Sequence, residues 1–156
     1  MSDELDVLER FAAGLLGALD EAGRRAAARD IGAAMRRRQK SRIAQQRNAD
    51  DSPYAPRKPR KQNGKALRDK RGRIKRQSMF AALRTDKYMK LESDATGFSI
   101  GFASRVSRIA RIHQFGERDR VAPHGVEYQY PARQLLGLGA EDRELIRDLL
   151  LKHITK

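Results

Sequence analysis

Between Arg36 and Arg76 the chain carries 17 Lys and Arg against three Asp, while the rest of it carries 17 charges of each sign. The whole net charge of +14 therefore resides in one stretch. A block of like charge repels itself, gathers no core of its own, and seeks a polyanion or an acidic protein surface. Pro53, Pro56 and Pro59, with the turn pairs Asn63-Gly64 and Arg71-Gly72, mark most of the block as extended chain. Folding is left to the flanks. The expected organisation is N-terminal helices over 1–47, a basic Pro/Gly-containing arm over 48–77, and an α+β body over 78–156. The basic far end of the second helix is expected to project from that body.

The flanks carry legible periods. Leu5, Leu8, Ala12, Leu15, Leu16 and Leu19 recur at helical spacing, and Ala27, Ile31, Ala34 and Met35 continue the stripe toward Arg36. These residues read as two helices, or one helix bent near Gly23. A short helical piece is expected over 78–84, burying Met79, Phe80 and Leu83. The period then becomes two. Met89 and Leu91, a turn over 93–97, and Phe98, Ile100 and Phe102 predict a hairpin with one apolar face. Ser104 is placed to cap a helix through Val106, Ile109, Ala110 and Ile112, ending near Gly116. Val126, Tyr128 and Tyr130 predict a third strand stopped by Pro131. Leu145, Ile146, Leu149, Leu150 and Ile154 predict a C-terminal helix that opens on Glu141 and Asp142 and closes on Lys152 and His153, as the helix dipole favours. The fold class is α+β, a small antiparallel sheet with flanking helices.

The 156 residues suit one compact domain plus an arm, and 39% apolar content gives a modest core. Such a chain often borrows stability from a partner or from its own copies. With no Cys, disulfides and thiolate metal sites are excluded. The acidic opening Met1-Ser2-Asp3-Glu4 is unlike a signal peptide, and no apolar run approaches the length of a membrane span.

Catalytic signatures are missing. Gly64-Lys65 continues to Ala66 rather than to the Ser or Thr of a phosphate-binding loop, and Gly137-Leu138-Gly139 lacks a third glycine and a preceding strand. There is no His-Glu-x-x-His, no glycine-flanked Ser, and none of the Glu-x-Lys pairs that many metal-dependent nucleases place on a strand. His113 and His124 flank a loop holding Glu117 and Asp119, but that spacing matches no recognised ligand pattern. The expectation is a non-enzyme without cofactor or metal.

Contact is therefore the function to look for. Arg36, Arg37, Arg38, Lys40 and Arg42 on the helix end, and Arg57, Lys58, Arg60 and Lys61 in the arm, are candidate contacts to a partner or to DNA. Lys and Arg that neutralise phosphates release counterions. The basic block holds a single aromatic, Tyr54, so it offers no stacking platform for reading sequence. A solvated tether and a non-specific nucleic-acid contact both remain open. Arg105, Arg108 and Arg111 recur every third residue on one predicted helix. They read either as a solvated face or as a ridge for carboxylates of a neighbouring subunit or for phosphate. His113-Gln114-Phe115-Gly116 reads as a hinge, with Phe115 anchoring the helix to the sheet and Gly116 supplying a positive φ. Replacing Arg36, Arg37 and Arg38 by Glu is expected to leave the body folded.

Several blocks, in order, resemble the phage virion morphogenesis family, the tail completion proteins of contractile-tailed temperate phages such as Mu. They are Met79-Phe80-Ala81-Ala82-Leu83-Arg84, Gly97-Phe98-Ser99-Ile100-Gly101-Phe102, Ile109-Ala110-Arg111-Ile112-His113-Gln114-Phe115-Gly116 and Tyr130-Pro131-Ala132-Arg133-Gln134-Leu135-Leu136-Gly137. Pro53-Tyr54-Ala55-Pro56 resembles the family's Pro-aromatic-x-Pro segment, with Tyr where Trp is more usual. The resemblance implies a structural role late in tail assembly that makes the tail competent to bind heads, and it carries no catalytic residues. It also implies a homo-oligomeric ring, a hexamer given the symmetry of tails, at the head-proximal end of the virion tail after assembly in the host cytoplasm. The implied neighbours are the tail terminator, tail tube and head-completion proteins, with possible non-specific contact to phage DNA and none to a membrane. His113, Gln114, Phe115, Gly116, Tyr130, Pro131 and Arg133 are then motif residues of structural rather than catalytic kind.

Overall fold

The structure, a computed structural model, describes residues 2–57, 61–62, 65–66, 78–120 and 123–155; of residues 2–4, 61–62 and 65–66 only the backbone is described. It is α+β, as expected. Helix α1 runs Ser2–Leu16 and α2 Glu21–Ala44. The two are separate helices, because the Asp20 side chain caps α2 by accepting from Gly23 N at 2.7 Å.

At about 1.5 Å per residue, α2 is the spine of the molecule. Ala27, Ile31, Met35 and Ile43 recur at multiples of four residues along one face and are all buried. The first three join Leu8 of α1 with Ile146 and Leu150 of the C-terminal helix; Ile43 joins Tyr54, Leu83, Met89, Ala110 and Leu135. Ile100 packs against both clusters and makes them continuous.

Strands β1 (Lys61–Gln62) and β2 (Lys65–Ala66) form a minimal antiparallel pair. The expected hairpin is β3 (Met89–Ser93) with β4 (Phe98–Phe102), in the register Met89↔Phe102, Leu91↔Ile100, Ser93↔Phe98. Its turn is tied by Asp94, whose Oδ1 accepts from Thr96 N at 2.7 Å and Gly97 N at 3.1 Å. The hairpin lies so close on α2 that a Cβ at Gly32 would stand 2.7 Å from Leu91 Cδ1 and 3.1 Å from Phe98 Cβ. That approach accounts for a glycine inside a long helix, where it otherwise costs about 1 kcal/mol.

Helix α3 spans Ser104–Phe115, with Ala103 rather than Ser104 in the cap position. It is followed by β5 (Arg118–Arg120), β6 (Glu127–Gln129) and α4 (Ala140–Ile154). No helix among the described residues is long and apolar enough to cross a membrane.

Three expectations are corrected. Residues 79–84 form turns, not a helix, because Phe80 takes φ +64 and breaks the helical path; Leu83 is buried as expected. The strand around Tyr128 does not join β3 and β4. It pairs with β5, which the sequence reading did not foresee, because only six residues separate the two strands in sequence and they meet antiparallel, Asp119 opposite Tyr128. The basic end of α2 does not project: Ile43 and Gln39 are buried there, and the chain from Arg47 to Tyr54 folds back on it through Tyr54 N to Gln46 O at 2.7 Å.

Candidate functional site

The basic end of α2 docks on the start of α4. Asp142 is 1% exposed, and three donors converge on its carboxylate: Arg38 Nε on Oδ1, and Arg42 Nη2 and Gly139 N, both at 2.9 Å, on Oδ2; beside it, Arg38 Nη2 reaches Glu141 Oε2 at 2.9 Å. Burial alone would raise the Asp142 pKa. The Gly139 N–H, the Arg38 hydrogen bond and the two guanidinium charges outweigh it and hold that pKa below the ordinary carboxylate range. In return Asp142 and then Glu141 raise the pKa of Arg38. Lys40 and Arg36, the latter at 3.4 Å, face Asp86. Arg37 is exposed and has no ion-pair partner among the described residues. Four of the five helix-end cations are thus engaged within the chain.

Of the arm candidates, Arg57 is exposed, Lys58 and Arg60 lie outside the described residues, and of Lys61 only the backbone in β1 is described. On α3, Arg105, Arg108 and Arg111 all face solvent. Arg108 pairs with Asp119, and Arg111 with Glu117 at 3.1 Å. The ridge exists, and its nearest carboxylates are on the same chain.

The motif blocks around His113 and Tyr130 come together. Gly116 ends α3 at φ +66, ψ +46, as a positive-φ cap must, and its N–H donates to Ile112 O. Tyr130 N donates to Glu117 O at 3.2 Å and Arg133 N to His113 O at 2.7 Å. Gln114 acts as a peptide group: its Oε1 accepts from Leu135 N at 2.8 Å and Leu136 N at 3.0 Å, and its Nε2 donates to Leu136 O at 2.9 Å. Phe115 is the exception. It is 69% exposed and anchors nothing, because at the last position of α3 it falls on the same outer face as Arg108 and Arg111.

Between these blocks lies a cleft of about 480 Å³, lined among others by Pro56, Arg57, Met79, Phe80, His113, Tyr130 and Arg133. Its rings interlock edge to face, with Phe80–His113 centroids 4.8 Å apart and His113–Tyr130 5.0 Å. Burial first, and then the Arg133 charge, lower the pKa of His113, so its ring is neutral at physiological pH. Its Nδ1 is buried without a partner among the described residues.

Sequence reading missed the amide side chains that join irregular chain to helix. Gln39, 3% exposed, donates to Gly137 O at 2.9 Å and accepts from Gly137 N at 3.2 Å. Gln46 accepts from Met79 N at 2.8 Å, and Asn48 Oδ1 from Gln134 N at 2.9 Å. A lone Gln or Asn gives no periodic signal; the nearest hint was Gln39 lying on the apolar stripe of α2.

The fold is a small α+β one whose polar groups join segments of the chain and whose surface leaves an arginine ridge and isolated apolar side chains exposed. The chain belongs to the phage virion morphogenesis family, whose sequence profile matches residues 3–155. It is similar to tail completion protein S of Escherichia phage P2, 33% identical over 144 residues that cover 92% of each chain. No solved structure matches it.

Proposed function

We propose that this chain completes a phage tail: a structural, non-catalytic protein that acts late in tail assembly and makes the tail competent to join a filled head. The carrying observation is the similarity along nearly the whole chain to a protein named for tail completion, within a family that the chain belongs to. Its place is then the virion tail, at the head-proximal end, where several copies form a ring next to the tail terminator, tail tube and head-completion proteins. A hexamer follows from tail symmetry. Exposed Ile109, Phe115 and Val126 support association, since apolar side chains of this size gain most when a neighbour covers them. The alternative, a basic nucleic-acid binder outside the virion, is weakened by the pairing of Arg36, Arg38, Lys40 and Arg42 with carboxylates of their own chain, which leaves less of α2 for phosphate.

The test is complementation in vitro. Purified protein is added to a lysate of its phage carrying a nonsense mutation in this gene, and infectious particles are counted. Separate heads and tails should join and titre recover. A flat titre with folded protein would overturn the reading.

A further inference from the structure

The cleft beside His113 holds a charge that no described part of the chain balances. Arg133 is 5% exposed, yet its Nε donates to Ala55 O at 2.8 Å and its Nη2 to Pro56 O at 3.2 Å, both neutral carbonyls. No carboxylate among the described residues pairs with it, and Arg57, on the same cleft, adds a second positive charge. Guanidinium does not shed its proton to escape burial. A buried cation without a counter-charge is costly, and an anion entering beside it recovers that cost. Nη1 has no acceptor among the described residues, and Arg133 lines the cleft, whose volume falls in the usual range for ligand sites of about 300–1,000 Å³.

Two kinds of anion compete, phosphate with its base and carboxylate with its side chain. The rings decide between them. Phe80 meets His113 at 63°, His113 meets Tyr130 at 77°, and Tyr128 meets Tyr130 at 85°. Locked edge to face, these rings present no parallel slot for a base to stack in. One inward guanidinium with apolar walls of Met79, Phe80 and Pro131 suits a carboxylate next to an apolar group.

We propose that this cleft receives an acidic side chain, flanked by a large apolar residue, from an extended segment of a partner protein, with Arg133 meeting the carboxylate and Arg57 at the rim. The proposal extends the tail-completion reading by naming the chemistry of one partner contact, and it is tested apart from it.

The experiment titrates the full chain with two blocked dipeptides, acetyl-Phe-Asp-amide and acetyl-Phe-Asn-amide, and with the dinucleotide of thymidine. The NMR signals of the His113 ring and the Met79 methyl group report occupancy. The Asp peptide should shift both saturably, the Asn peptide should bind at least about tenfold more weakly, and the dinucleotide should leave both unmoved. In Arg133→Gln the preference for Asp over Asn should vanish. Because Arg133 also ties down Ala55 and Pro56, the comparison of acid with amide on the unaltered protein carries the test if that variant does not fold. Equal binding of the two peptides, or tighter binding of the dinucleotide, would overturn the proposal. Neither result bears on whether the protein restores titre to the lysate.

Discussion

Asp142 Oδ2 lies 2.9 Å from Nη2 of Arg42, one hundred residues earlier in the chain, and this contact locks the C-terminal helix to the spine of the fold. The carboxylate is sealed and held in its charged form by the Gly139 N–H and two guanidinium groups. Removing one partner of a buried pair costs about 3–5 kcal/mol, since the other is left uncompensated. Asp142→Ala should lose stability on that scale in urea titrations. The pH dependence follows from the depressed pKa. The contribution is complete above the ordinary carboxylate value of 3.8 and is lost as pH falls through the lower folded value. Wild type should therefore lose stability below about pH 4, and Asp142→Ala should show a shallower loss.

Arg37 and Arg38 are adjacent in sequence and opposite in role. Arg37 is exposed, so Arg37→Glu should leave stability within about 0.5 kcal/mol of wild type. Arg38→Glu would set a like charge against Asp142 and should destabilise by at least about 3 kcal/mol. The pairing of Arg38 with Asp142 thus argues against the expectation that all three arginines of 36–38 can be reversed in a folded body. Urea midpoints of the two single variants check it, and only Arg37→Glu is a clean probe of tail joining.

Phe115 and Gly116 separate in the same way. A Cβ at Gly116 would stand 2.8 Å from Ala132 N and 3.0 Å from Tyr130 O, both backbone atoms, at a φ of +66. Gly116→Ala should cost at least about 2 kcal/mol from strain and clash together. Phe115→Ala removes an exposed ring and should change stability by less than about 0.5 kcal/mol. If Phe115 is covered by a neighbouring copy, the second variant should fold normally yet restore titre poorly in the lysate assay.

These residues also show what was legible. The two N-terminal helices, the hairpin of β3 and β4, and α3 and α4 follow from apolar periodicity, which burial enforces along each element. Gly116 was read correctly because a positive-φ helix stop is a local requirement. Phe115 was misread because an aromatic beside that stop has the same sequence signature whether it faces the core or the solvent. The engagement of Arg38 and Arg42 was invisible for a different reason. A charge run announces its own repulsion, whereas the buried carboxylate that meets both of these arginines is about a hundred residues away and carries no mark of burial. Strand β5, three residues with alternating charge, had no apolar alternation to reveal it.

Tyr54 offers a readout of the irregular chain that periodicity could not place. It is buried in the second cluster, its hydroxyl donates to Gln134 O at 2.8 Å, and its ring meets Phe80 edge to face at 5.9 Å. Burial pushes its pKa up to about 12, although the nearby Arg42 and Arg133 charges pull it down. The folded state thus holds the phenol proton more tightly than the unfolded chain does. The associated stability is complete below the ordinary value of 10.0 and is lost as pH rises toward about 12. Over that interval wild type should lose about 2–3 kcal/mol from this group alone. Tyr54→Phe should cost about 1 kcal/mol at neutral pH, for the hydrogen bond to Gln134. It should also lose less stability than wild type between pH 10 and 12, so the two urea midpoints converge and then cross as pH rises toward 12. Parallel curves for the two proteins would place the Tyr54 hydroxyl in water and sever the link between the Pro53-Tyr54-Ala55-Pro56 segment and the loop after Arg133.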